Sequence, residues 1–216
     1  MSRRHVVLLG DSIFDNARYT GGAPDVISHL GASLPAGWRT SLLAVDGSMT
    51  DDLREQIEQV PADATDLVLS VGGNDALANI DILGLPVSST AEALEIFGER
   101  ASSFRSSYAA ALDLLLALDR PTTVCTIYEG NLEPRIAARA RVALTFFNDV
   151  ILRTAFERSV DLIDLRLVCT ETSDFANPIE PSGSGGAKIA KAIRAALGAR
   201  EARPGSFVTT FRRDVD

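Results

Sequence analysis

The chain has 216 residues, 46% of them hydrophobic, enough to bury one sizeable core and a common length for a single α/β domain. Its 29 acidic against 21 basic residues leave a formal charge of −8, which argues against a nucleic-acid surface, because a phosphate-binding face needs clustered Lys and Arg. Two cysteines, Cys125 and Cys169, are too few for a disulfide framework or a cysteine metal site, and they fit a reducing, cytoplasmic setting.

The N-terminal MSRRHVVLLGDS carries basic residues, but its apolar run Val6–Leu9 stops at Gly10 and Asp11. That is too short for a signal peptide or a membrane span, so no membrane partner is expected. Runs rich in Val, Leu and Ile follow one another at His5–Asp11, Ser41–Asp46, Asp66–Gly73, Thr122–Tyr128 and Val160–Arg166, and each reads as a strand buried on both faces. Helical periodicity occupies Pro24–Leu34, Thr50–Gln59, Thr90–Leu118 and Pro134–Arg158 between them, and Ser184–Leu197 after the last. The alternation predicts a parallel sheet covered by helices on both faces. The segment Ala76–Ser89 lacks helical periodicity and reads as a long loop after the third strand, of the kind that forms lids. No repeat or linker divides the chain: residues 1–200 are expected to be one domain, and 201–216 a tail that frays or adds a short strand.

Ligands of an open parallel sheet bind beyond the carboxyl ends of its strands. The first three strands run into GDSIFDN, DGSMTDD and GGNDAL, so Ser12, Gly47 and Asn74 should converge at one edge. A serine hydroxyl at a strand-to-helix turn can attack a carbonyl, and backbone N–H groups with an Asn amide can stabilise the oxyanion that forms, so the chemistry indicated is acyl transfer. Asp11 and Asp75 are expected to brace loops rather than react.

With GDS at Gly10–Ser12, Gly47, and GGND at Gly72–Asp75 in matching βα order, the chain resembles the SGNH hydrolase family, the GDSL esterases and lipases, over roughly residues 5 to 197. The resemblance implies a three-layer, flavodoxin-like α/β sandwich around a mostly parallel five-stranded sheet, with no cofactor. It implies Ser12 as nucleophile, with the N–H groups of Ser12 and Gly47 and the Asn74 side chain as oxyanion hole. In the family an Asp-x-x-His run before the last helix supplies the base and its orienting carboxylate. Here that run reads NPIE, so Asn177 stands at the Asp position and Glu180 at the His position.

Of the two histidines, His5 is excluded by distance, and His29 reads as a helix-surface residue rather than the base. His5 begins the first strand, about 23 Å from Ser12 at the opposite edge, and His29 lies about 7 Å below the site edge on the first helix. Glu180 as base is chemically possible: an ordinary carboxylate near 4.3 is weaker than imidazole near 6.5 by about 3 kcal/mol if the gap is fully expressed. Burial between Ile179 and Pro181 would narrow that gap, and the Asn177 amide can donate a hydrogen bond to hold Glu180. Tyr128, Glu129 and Asn131, after the fourth strand, are candidates to line the pocket. GSGGAK lacks the phosphate-loop spacing, and nothing reads as a metal site. The reading is a serine-dependent esterase acting on a small-molecule ester; the alternative is a module of the same fold that binds an ester or carbohydrate without cleaving it.

Overall fold

The computed structural model describes residues 4–202 and 208–209. Strands β1 (His5–Gly10), β2 (Arg39–Leu42), β3 (Asp66–Ser70), β4 (Thr122–Cys125) and β5 (Asp161–Ile163) form an all-parallel sheet in the order β2-β1-β3-β4-β5. Val208–Thr209 adds a two-residue β6 parallel to β5. The remaining tail positions lie outside the described residues. Six helices connect the strands: α1 (Val26–Ser33), α2 (Leu53–Glu58), α3 (Gly73–Ala78), α4 (Thr90–Leu116), α5 (Pro134–Glu157) and α6 (Gly183–Ala202).

The period-2 geometry of the strands sorts their apolar side chains into two cores. Val7, Leu9, Leu67, Leu69, Val124 and Leu162 pack with Leu53 of α2, Phe104, Tyr108 and Leu112 of α4, and Phe147 and Ile151 of α5. Val6, Leu8, Val68, Cys125 and Ile163 face Val26 and Leu30 of α1 and Ile189, Ile193 and Leu197 of α6. Each fully buried Leu or Ile in these layers contributes roughly 1.5–3 kcal/mol of transfer free energy. The N-terminal edge of the sheet is closed by charge: Arg200 of α6 donates to Asp161 at 2.6 Å and to the Thr122 carbonyl at 3.1 Å, and Arg4 pairs with the buried Asp66.

Two expectations need correction. β2 is not buried on both faces: it is the sheet's edge, partly exposed, and begins at Arg39 rather than Ser41. Residues Leu43 to Val45 still donate their N–H groups to β1 carbonyls but already turn away from the sheet. The segment after β3 is not a long loop. α3 starts at Gly73, inside the run read as strand, and Ile80–Gly84 form a 3-10 turn. Six helical residues are too few to register a 3.6-residue period, and β3 itself stops at Ser70.

Helix lengths exceed what the sheet can cover. α4 has 27 residues and α5 has 24, about 40 and 36 Å long, whereas strands of three to six residues span only about 10–20 Å. Both helices end shortly before the next strand begins, so their N-terminal halves project past the carboxyl edge; Phe97 of α4 stacks on Phe146, at the middle of α5, at 4.9 Å.

At the end of β1 the backbone leaves the sheet at Gly10, with φ +124°. A Cβ built there would lie 1.8 Å from the Ser70 carbonyl oxygen. Gly10→Ala is therefore expected to lower stability by on the order of 3 kcal/mol or more, through positive-φ strain plus overlap. A drop in urea midpoint measures it, and an unchanged midpoint would contradict the tight approach of β1 and β3.

Candidate active site

Gly10 opens a turn built by its neighbours. Gln56 of α2, itself buried, accepts from the Gly10 N–H at 2.8 Å through Oε1 and donates Nε2 to the Gly10 carbonyl at 2.8 Å and to Ser48 Oγ at 3.1 Å. Asp11 donates its N–H to the Ser70 carbonyl, and its own Oδ1 accepts from the Ile13 N–H at 3.0 Å. Phe14 and Asp15 donate to the Asp11 carbonyl, so the chain coils at once and presents Ser12 at the edge of the sheet. Ser12 is buried, and its N–H has no acceptor among the described residues.

The segment after β2 is tied to this turn. Val45 donates to the Gly10 carbonyl at 3.0 Å, and the Asp46 N–H reaches Asp15 Oδ2 at 2.9 Å. Gly47 follows with an exposed backbone whose N–H is also without an acceptor among the described residues. Asn74, on the first turn of α3, donates Nδ2 to the Ser48 carbonyl at 2.9 Å. That bond uses one amide hydrogen and fixes the side chain, leaving the second hydrogen to donate. Asp75 accepts from the Thr50 N–H at 3.1 Å, bracing the same segment.

The NPIE run forms the fourth wall. Asn177 Oδ1 accepts from the N–H groups of both Ile179 and Glu180, each at 2.9 Å, an Asx turn that reverses the chain. The Ala176 N–H closes the reversal on the Glu180 carbonyl, and Phe175 bridges Pro181. Outside partners pin the loop: Tyr128 OH donates to the Ile179 carbonyl at 2.5 Å, the Asn131 N–H to the Pro178 carbonyl at 2.8 Å, and Asn16 Nδ2 to the Pro181 carbonyl at 3.1 Å. Beneath it the fully buried Asp174 accepts from the Thr170 and Glu171 N–H groups and from Lys188 Nζ. Gly185 passes so close that a Cβ would meet the Asp174 carbonyl oxygen at 2.1 Å, so the glycine-rich run serves helix packing.

Glu180 is held inside this loop, 7% exposed, with Oε2 buried and unpartnered. Burial raises its carboxyl above the ordinary value; the facing Ser12 hydroxyl opposes the rise, and the Asp46 charge adds to it. Ser12, Asn74 and Glu180 border one open cleft, as do Tyr128 and Glu129. Gly47, Asn131 and Asn177 do not border it. The hydrogen bond expected from the Asn177 amide to the Glu180 carboxylate is not made: Asn177 is exposed and acts on the backbone of the turn. His5 sits at the other end of β1, bonded to Ser41 and Asp63, and His29 lies outside the cleft.

Sequence reasoning passed over Gln56, Asn16 and Asp174. The first two lie in helical or turn context with no local signal of their bonds.

With this geometry in view, a sequence profile described as the GDSL-like Lipase/Acylhydrolase family matches residues 8–187. No match is found among curated proteins. Similar solved structures include an extracellular lipase from Streptomyces rimosus (17% identity, TM-score 0.63, covering 91% of this chain and 99% of that one). A phospholipase A1 from Streptomyces albidoflavus NA297 gives 14% identity and a TM-score of 0.67, covering 92% and 99%. The acetylxylan esterase Axe2 from Geobacillus stearothermophilus gives 17% and 0.66, covering 91% and 95%. At these identities the likeness is one of fold.

Asp11 is a titrating group in this arrangement. Burial pushes its carboxyl up to about 7 from 3.8, the Ile13 N–H opposing and the Glu180 and Asp75 charges adding. The folded chain then holds a proton that the unfolded chain has shed, so stability falls as pH rises from about 4 to 7. Asp11→Asn, whose amide oxygen can still accept from Ile13, removes that loss. The variant is expected to gain up to roughly 4 kcal/mol relative to the parent on going from pH 4 to pH 8. Urea unfolding at both pH values measures it, and a pH-independent difference would mean that Asp11 does not titrate.

Proposed function

Because the chain belongs to the GDSL-like lipase/acylhydrolase family, we propose that it is a serine hydrolase that cleaves carboxylic esters through an acyl-enzyme on Ser12, with Glu180 as the base. The observation that carries this reading is the pairing, in one apolar cleft, of Ser12 with a buried carboxylate that has an unpartnered oxygen.

The steps follow from these groups. Ser12 Oγ attacks the ester carbonyl carbon while its proton passes to Glu180. The carbonyl oxygen, now an alkoxide, accepts from the Ser12 N–H and the second Asn74 Nδ2 hydrogen, with the Gly47 N–H, whose segment is tied to the Ser12 turn though it does not line the cleft, as the third donor. Collapse breaks the bond to the alcohol oxygen, which takes the proton from Glu180. A water then attacks the acyl carbon and gives its proton to Glu180; collapse of this second tetrahedral intermediate breaks the bond to Ser12 Oγ, which takes the proton back from Glu180 as the acid leaves. Burial of Glu180 makes it a stronger base than an exposed carboxylate, narrowing its deficit against imidazole. A protonated carboxyl is neutral, however, so the three donors carry charge stabilisation that an imidazolium would share. Asn177 is a positioning residue, holding the turn that buries Glu180.

One observation favours a second reading, a binding module without turnover: among the described residues no histidine borders the cleft. The two readings part at Glu180. For a hydrolase, Ser12→Ala should abolish both labelling by a fluorophosphonate and hydrolysis of 4-nitrophenyl esters, and Glu180→Gln should cost about 10²–10⁴ in kcat. Parent protein that neither labels nor turns over would leave only binding.

The pH profile supplies an independent check. Glu180 must be ionised to act, so kcat/KM should rise with pH along a limb displaced upward from the ordinary glutamate value of 4.5. That limb should vanish in Glu180→Gln and persist in His29→Ala; loss in His29→Ala would move the base to the histidine.

A further inference from the structure

The cleft beside Ser12 is far more apolar than ester chemistry requires. One wall is a single stripe of α5, Ile136, Ala140, Ala143, Leu144 and Phe147, whose spacing puts them on one helix face. The opposite wall comes from α3 and the turn after it, with Leu77 and Ile80. The stripe runs from Phe147, 2% exposed beside the sheet, to Ile136, 50% exposed at the outer end, and Leu77 and Ile80 are 41% and 57% exposed. Large side chains left this open along a concave surface, continuous with a nucleophile, call for an apolar occupant.

Resting on the hydrolase reading above, we infer that this trough holds the acyl chain of the substrate, a linear chain of about eight to twelve carbons in an extended form. The length follows from the stripe: eleven residues separate Ile136 from Phe147, about 16 Å along the helix. At C–C bonds of about 1.5 Å, or roughly 1.3 Å of advance per carbon in a zigzag, this spans about twelve carbons. The direction follows from proton transfer. The alcohol oxygen must leave beside Glu180, and near that carboxylate, outside the apolar lining, lies a polar cluster in which Asp46 accepts from Tyr19 OH and from Arg18, both at 2.8 Å. An alcohol departs toward that cluster, and the acyl chain takes the apolar side. Ala140 and Ala143 keep the trough open, since larger side chains at these positions on the stripe would fill it.

The test is a series of 4-nitrophenyl acetate, octanoate and palmitate, with octyl acetate placing the same chain on the alcohol. Each buried methylene can raise kcat/KM by up to roughly fourfold, so octanoate should exceed acetate by about tenfold or more. Octyl acetate should gain no comparable advantage over ethyl acetate. Ala143→Trp should cost octanoate at least about tenfold more than acetate, erasing its advantage; Ala140→Leu, a smaller change at a half-exposed site, should shift the optimum to shorter chains and serves if Ala143→Trp does not fold. Equal rates on acetate and octanoate, a gain that tracks the alcohol chain, or an equal loss on both esters in the trough variants would overturn the inference. Binding to Ser12→Ala separates this from the hydrolase reading. If the parent cleaves no ester, tighter binding of 4-nitrophenyl octanoate than acetate, weakened by the trough variants, upholds the trough and refutes turnover. Equal binding of the two esters refutes the trough.

Discussion

The clamp of Gln56 on Gly10 is the contact on which the site depends. β1 is flanked by β2 and β3, and at its end the backbone must break from the ladder without leaving a buried N–H and carbonyl unpaired. The Gln56 amide pairs the N–H, shares the carbonyl with the Val45 N–H, and also reaches Ser48. Ser48 in turn accepts from Asn74 through its carbonyl, so α2, α3, the turn after β1 and the segment after β2 form one hydrogen-bonded unit. The three donors assigned to the oxyanion are therefore not independent loops. A shift in any one of these elements is transmitted to the others through groups that cannot be left unsatisfied at low cost.

The other half of the site is built on a different principle. The turn carrying Glu180 projects beyond the sheet and is secured by bonds to its backbone from Asn16, Tyr128, Asn131 and Asn177. The Glu180 carboxylate oxygen Oε2, by contrast, is buried without a partner among the described residues. A structural glutamate would be expected to collect those donors for itself; here they go to the main chain, and the carboxylate is left against Ser12 in an apolar setting. The consequence is electrostatic. Burial makes ionisation costly for Glu180 and Asp11 alike, with the Asp46 charge adding to it at Glu180 and the Glu180 charge at Asp11, so these two carboxyls are more basic than in water.

The sheet was legible because its strands are buried apolar runs, and the convergence of Ser12 and Asn74 followed from strand order alone. Their ends were less so, since Val71, Ile127 and Leu165 continue the apolar pattern after the chain has left the ladder, to serve the core or the cleft. α3 was lost for that reason: its first residue falls inside such a run. The position of Glu180 could be read from its spacing to the last helix, but the work of Asn177 could not, because an Asx turn and a side-chain contact look alike in one dimension. Gln56 and Asn16 were invisible on the same ground. Their partners are 46 and 165 residues away, and a polar residue on a helix face carries no mark of what it will meet across the fold.

The overhang of α4 and α5 has a consequence for how the molecule breathes. Their C-terminal halves are riveted to the sheet by Tyr108, Leu112, Ile151 and Ala155, whereas beyond it they are held by the Phe97–Phe146 stack and by half-exposed or exposed ion pairs, Arg100 with Asp81 and Arg141 with Glu129. Amide protons in the first three turns of each helix should exchange with solvent through local openings, well before those of the sheet-bound turns. The outer wall of the cleft is thus a subdomain of low local stability on a rigid base. Residues there can be exchanged without disturbing the folding core, so the dimensions of the cleft can diverge while the arrangement around Ser12 is kept.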